Sequence, residues 1–441
     1  MSKILLIKPP FNRHIFVRRF ARCEPYEFAF LATGLKNESV VAVIDMRVDN
    51  RDIRKIVEDE KPTIVGFTAL TMDVNTVRQL AREVKAISPE IVTCVGGEHA
   101  TFLPNDFLPD VDFVFTHASI ATFKKFVADI SAGRRPTNAV ISGAPAHTEV
   151  SISPDRGAYQ RYFKKYVFGP AQPVSLLHTS SGCPSNCNFC SIITKDPKYR
   201  TADIDSTLKN LSECPGDDVL SIDAHALANI RQSKLLYREI ASARLPKRLM
   251  ISTRSDTLIE SPHIVPLLRE ANVSVVSMGL EAVDDVRLEE HNKEARVDDG
   301  FGAVKILKDH GILVRANFII SPDFTRSDFD RLTSAISEMQ IDFPVFQILT
   351  PLPGTPLYLE YESKFVTQDY DFFDLSHSVV ATSMEFREFH EEFRRLFRAN
   401  YSLKHMWALA RKMPLTHTAR GALIAALSFS EMRYSKNTLY A

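Results

Sequence analysis

Short apolar runs alternate with amphipathic stretches along most of this chain. Runs at 3–7, 40–45, 63–67, 91–95 and 112–116 have the length and composition of buried strands. Between them, 74–87 sets Val74, Val77, Leu80, Ala81, Val84 and Ile87 on one helical stripe. Strands that alternate with helices predict a parallel sheet covered on both faces. Five such units predict a flavodoxin-like, doubly wound domain over 1–135, with its ligand beyond the carboxyl ends of the strands.

Residues 136–172 mix Pro, Gly, Ser and aromatic side chains without a steady period and read as a surface linker. A second series follows, with strands expected at 174–179, 219–223, 249–253, 273–279, 314–320 and 345–349, and helices such as 233–243 and 301–310. These units predict a partial (β/α)6 barrel over 173–355, open on one side. Its polar residues gather at the carboxyl ends of the strands, where βα barrels keep their sites. A cysteine cluster follows the first strand, Asp223 and His225 the second, Arg254 and Asp256 the third, Glu281 the fourth and Ser321 the fifth. The region 356–441 reads as a helical C-terminal domain, with helices expected at 386–411 and 421–434. Its Arg394, Arg395, Arg398, Lys404 and Arg411 lie beside Phe389, Phe393, Leu396 and Phe397, as on a helix with a solvated face and a core face. A lipid-facing or partner-binding helix is the alternative.

The 441 residues allow two or three domains at roughly 150 residues each. Lys and Arg number 54, as do Asp and Glu, so no basic field points to nucleic acid. No apolar run approaches a membrane span, and the apolar start at Ile4 to Ile7 is too short for a signal peptide. A cytoplasmic protein is expected. Six cysteines are too few for a disulfide scaffold. Cys23, Cys94 and Cys214 are scattered, whereas Cys183, Cys187 and Cys190 share one short loop.

That loop, Cys183-Pro184-Ser185-Asn186-Cys187-Asn188-Phe189-Cys190, spaces three thiolates as C-x3-C-x2-C. Three thiolates can hold three corners of a [4Fe–4S] cubane and leave one iron open to a small molecule. Zinc would ask for a fourth ligand, and no cysteine lies at the usual spacing. The loop resembles the signature of the radical S-adenosylmethionine (SAM) superfamily, including the aromatic Phe189 before the last cysteine. The resemblance implies that the reduced cluster cleaves SAM to methionine and a 5′-deoxyadenosyl radical, and that a flavodoxin or ferredoxin supplies the electron. Segments holding Arg254, Glu281 and Lys293, and the closing stretch 349–355, look like those that line the family's SAM cavity; Ser221 to His225 departs from the acidic pair common there, and its Asp223 is expected among the cofactor-binding residues. Arg254 is expected to pair with the SAM carboxylate and Glu281 to accept from ribose hydroxyls; the bland alternative for each is an ion pair at the rim. His225 is either an acid/base group facing the substrate or a plain rim histidine.

The first domain resembles the cobalamin-binding domain of the radical SAM class that includes hopanoid methylases. The matching stretches hold Lys8-Pro9-Pro10, Thr68, Thr71 and Gly96-Gly97-Glu98-His99-Ala100-Thr101. The resemblance implies that Thr68, Thr71, Gly96, Gly97, His99 and Thr101 line the cobalamin site. No D-x-H-x-x-G triplet occurs, so His99 is expected in the wall rather than on cobalt. The stretch Tyr370 to His377 looks like that of hopanoid C-3 methylases and hints at a lipid-like substrate, with a smaller metabolite as the other choice.

The reading is a cobalamin-dependent radical SAM methyltransferase acting on an unactivated centre. The alternative enzyme transfers a 3-amino-3-carboxypropyl group from SAM, with a vestigial cobalamin domain. A cobalamin-binding sensor with an idle barrel would have no need of three thiolates at this spacing. Methyl transfer predicts that the carboxyl ends of both sheets face one shared cavity.

Overall fold

In the computed structural model, six strands form the first sheet: β1 (Lys3–Lys8), β2 (Val40–Asp45), β3 (Ile64–Thr68), β4 (Val92–Gly96), β5 (Phe113–Thr116) and β6 (Val140–Ser142). The structure describes residues 2–11, 21–36, 38–117, 119–143, 149–414, 416–418 and 420. The expected helix at 421–434 and Ala118 lie outside them. All neighbours in the sheet are parallel, in the order β2-β1-β3-β4-β5-β6. Successive side chains of β1 go to opposite faces. Leu5 and Ile7 pack on α2 (Ile53–Glu60) and α3 (Val74–Ile87), while Ile4 and Leu6 pack on α1 (Tyr26–Leu35) and α5 (Ile120–Ser131). A short helix, α4 (Glu98–Phe102), follows β4. Cys94 is buried in β4, where burial raises its thiol to about 12.

The structure corrects the reading of 136–172 as a surface linker. Val140–Ser142 adds the sixth strand, and Val167–Phe168 pairs antiparallel with Ala21–Arg22. The helical turns at Arg156–Lys165 bury Tyr159, Tyr162 and Phe163 in the first domain's core beside Tyr166. Aromatic rings without a helical or strand period escaped a search for periodicity, yet they fill the space between the two sheets. Val174 and Leu220 of the second sheet touch the same cluster.

The second sheet is also all parallel and runs in chain order: β7 (Val174–Leu177), β8 (Asp218–Ser221), β9 (Arg248–Thr253), β10 (Val273–Glu281), β11 (Leu313–Ile320) and β12 (Phe343–Ile348). β7 and β12 form its two edges, so the barrel stays open. One face carries Leu249, Ile251, Val276, Met278, Val314, Ala316, Phe318 and Ile320 against the outer helices. The strand expected at 345–349 starts two residues earlier, and the one at 273–279 runs on to Glu281.

The C-terminal run is two helices, Phe386–Asn400 and Leu403–Ala410, broken at Tyr401-Ser402, where Ser402 caps the second. Phe389, Phe393 and Leu396 join the barrel core, and Arg395 stands outside with Glu392 and Asp330. The first helix therefore has a core face and a solvated face. Among the described residues no helix is long and apolar enough to cross a membrane.

Candidate active site

The cysteine loop leaves the end of β7 and is held from beneath by Asp223, just past β8. Its carboxylate accepts from the backbone N–H of Thr179 at 2.8 Å and of Ser180 at 2.7 Å, and from the hydroxyls of Thr179 and Ser221. With four donors on two oxygens and a buried position, Asp223 anchors the loop. It has no free face to offer a cofactor.

Arg254 holds the middle of the loop. Its Nη1 donates to Ser185 Oγ at 2.9 Å, while Nε bridges both oxygens of Asp256 at 3.0 and 2.9 Å. The far side is stapled to the chain after β10. Asn188 Nδ2 donates to Glu290 O at 2.8 Å, Asn292 Nδ2 to Asn186 O at 2.6 Å, and Asn188 N to His291 O at 3.3 Å. Phe189 sets its ring edge-on to His291 at 5.5 Å and packs beside Ile319, Leu349 and Leu357. His291 and Asn292 carry no motif, and this staple was invisible to sequence reading. Nearby, Glu281 and Lys293 form a buried ion pair at 3.1 Å.

All three thiols are free, with Cys187 buried and the others half-buried. Burial raises Cys187 and Cys190. At Cys187 the charges of Lys293 and Arg254 oppose that shift, and Cys183 acts electrostatically on both. Among the described residues no three His, Cys, Asp or Glu side chains converge on one metal ion. On the same loop Ser181 Oγ and Asn188 Oδ1 are buried without a hydrogen-bond partner among the described residues. Three thiols, two nearby cations and the unpartnered Ser181 hydroxyl, a donor, fit an anionic [4Fe–4S] cluster.

His225 meets two threonine hydroxyls past the end of β8. It is buried, with Nδ1 at 3.3 Å from Thr253 Oγ1 and Nε2 at 3.2 Å from Thr257 Oγ1. Burial, helped by Arg254 and Lys293, pulls it down to about 4, so it is neutral at pH 7.

On the first domain, the loops after β3 and β4 are zipped together. Ala69 N donates to Gly96 O at 3.0 Å, and His99 N to Ala69 O at 3.2 Å. Gly97 has φ +104°, and a Cβ there would fall 2.7 Å from the Ala69 backbone, so glycine is required by this crossing. The Thr101 hydroxyl donates to Gly97 O at 2.9 Å, and Thr71 Oγ1 lies 3.2 Å from His99 Nδ1. Thr68 is buried at the end of β3 with no hydrogen bond on its hydroxyl among the described residues. The other ring nitrogen of His99 meets Asp106 at 2.9 Å. The same Asp106 oxygen accepts from Tyr370 at 2.8 Å, and the His99 and Tyr370 rings touch edge to face at 4.7 Å. Both ring nitrogens of His99 are thus occupied, and the C-terminal segment reaches back to hold it.

The two halves meet at their carboxyl ends. Glu98, after β4, accepts from Ser191 Oγ at 2.7 Å, next to Cys190, and lies 3.5 Å from Lys195. Phe102 packs on Gly354, beyond β12, where φ is +86° and a Cβ would lie 2.4 Å from the ring. Loops from both sheets therefore face each other across one junction.

Comparison with known families agrees with this division. Residues 15–126 match the B12 binding domain, and residues 177–336 match the radical SAM superfamily. The chain thus carries a B12-binding domain followed by a radical SAM domain, whose strands form the half-barrel. Hopanoid C-3 methylase from Methylococcus capsulatus is 26% identical over 416 residues, which cover 90% of this chain and 80% of that protein. Among solved structures, the radical SAM methyltransferase TsrM from Kitasatospora setae is 18% identical, with TM-score 0.68 over 82% of this chain and 76% of its own. The cobalamin-dependent radical SAM enzyme OxsB is 13% identical, with TM-score 0.70 over the whole of this chain and 73% of its own. Both share the fold.

Proposed function

We propose that this protein is a cobalamin-dependent radical SAM methyltransferase acting on an unactivated centre of a small or lipid-like molecule. The observation that carries the reading is the junction itself, where Glu98 of the B12-binding domain meets Ser191 beside the last cysteine of the cluster loop. When bound, the cluster with SAM supplies the radical and cobalamin supplies the methyl group. Cys183, Cys187 and Cys190 hold the cluster. Asp223 and Arg254 set the loop that carries them, and Lys293 with Arg254 keeps positive charge beside Cys187. The loops ending in Thr68 and Gly97 form the wall that faces the barrel, with His99 fixed in that wall by Thr71 and Asp106.

A donor such as a flavodoxin or ferredoxin delivers the electron. An oxygen-sensitive cluster suits a reducing compartment, which supports a cytoplasmic location. The methylase and the methyltransferase named above support methyl over aminocarboxypropyl transfer. The test is anaerobic reconstitution with iron, sulfide and hydroxocobalamin. Retention of corrin and of about four irons per chain through desalting supports the reading; loss of the corrin under those conditions contradicts it.

A further inference from the structure

The alternation that buries Val314, Ala316, Phe318 and Ile320 against the outer helices turns Leu313, Arg315, Asn317 and Ile319 of β11 to the concave inside of the half-barrel. Arg315 donates from Nη1 to Ser277 Oγ of β10 at 2.9 Å, and its guanidinium lies 5.3 Å over the Phe168 ring. Among the described residues no carboxylate lies within ion-pair distance of it, and its Nε and Nη2 take no hydrogen bond. Neither nitrogen is sealed from solvent. Burial acts against its charge. The groups that counter it are Tyr401 and the Cys23 thiol, both pushed above their usual range by burial and so neutral at pH 7. A half-buried guanidinium with no counter-ion keeps its donors free for an anion. The edge left open, Nε with Nη2, is the fork that takes a carboxylate through two parallel bonds.

We infer that Arg315 is a substrate subsite, and that the molecule acted on carries a carboxylate which pairs with the Nε–Nη2 edge inside the half-barrel. The inference rests on the methyltransferase reading and narrows its substrate class. Four residues further along β11, Ile319 packs against Phe189 of the cluster loop. Four strand steps are about 13 Å, so the carboxylate end and the reacting end of the substrate are separated by about that length. Phe343 and Val345 alternate with the core residues of β12 and line the same inner side, so that side offers apolar contacts between the two ends.

Full-length protein with reconstituted cluster is dialysed to equilibrium against 2-naphthoate and, separately, against 2-naphthamide, which share the ring system and differ in carrying a carboxylate or a neutral amide. The wild-type protein is expected to hold the acid at least about tenfold more tightly than the amide, the scale of a hydrogen-bonded ion pair. R315Q is expected to remove that preference, and R315K, which keeps the charge without the fork, to reduce it severalfold. Thermal melting of each variant reports whether it is folded. Equal binding of acid and amide by the wild-type protein overturns the inference whatever the variants do. A preference that survives in folded R315Q overturns the assignment to Arg315. Neither arm involves SAM turnover, so failure here and failure of methyl transfer are separate results.

Discussion

Glu98 Oε1 lies 2.7 Å from Ser191 Oγ, joining the residue after the Gly96-Gly97 pair to the residue after Cys190. This bond ties the expected corrin wall to the cluster loop, so a change on one side is felt at the other. In E98A, corrin retention through desalting is expected to fall severalfold while iron content stays near the wild-type value. Unchanged retention, read by optical absorbance, would mean that the junction contributes nothing to the cobalamin side.

Asp223→Ala removes the acceptor of two buried backbone N–H groups at Thr179 and Ser180. Each orphaned donor costs about 1–3 kcal/mol. The cost falls on the loop, and iron content after reconstitution is expected to drop below half with little change in far-ultraviolet circular dichroism. Full iron occupancy would show that the loop holds its shape without this anchor.

Cys187→Ala is expected to abolish both stable iron binding and SAM cleavage, because a cubane corner loses its thiolate. Cys94→Ala, in the first sheet, is expected to leave iron content unchanged and to lower the melting temperature slightly through lost packing. Colorimetric iron assay separates the two.

Acid should destabilise the protein through buried neutral histidines. His225 and His390 are each pulled by burial from an ordinary 6.5 to about 4. As pH falls below 6.5, the unfolded chain takes up protons that the folded chain refuses until about 4, so stability is lost across that window. At pH 5 the loss is about 2 kcal/mol per group. Urea midpoints of the apoprotein at pH 7 and pH 5 measure it, and a folded H390Q variant should show a smaller difference between the two.

Much of this architecture was legible in the chain because strands buried on both faces read as apolar runs. Eleven of the twelve strands in the two six-stranded sheets lie where those runs fall. β6 was missed because Val140–Ser142 is three residues long on a sheet edge, with no full period to detect. Tyr159, Tyr162 and Phe163 misled for a related reason: their burial is set by the gap between two sheets and not by any repeat. The cysteines were legible through spacing alone. What was hidden is whatever depends on long-range geometry, including the Asn292 staple, the saturation of Asp223 and the hydroxyl partners of His225.

The most direct measurement of the central claim is product analysis. Anaerobically reconstituted protein with hydroxocobalamin, reductant and SAM is quenched, and its nucleosides are separated by mass spectrometry. Methyl transfer through cobalamin predicts S-adenosylhomocysteine that requires the corrin, together with 5′-deoxyadenosine that requires Cys183, Cys187 and Cys190. Formation of 5′-methylthioadenosine in their place, with or without the corrin, would contradict the account and point to aminocarboxypropyl chemistry.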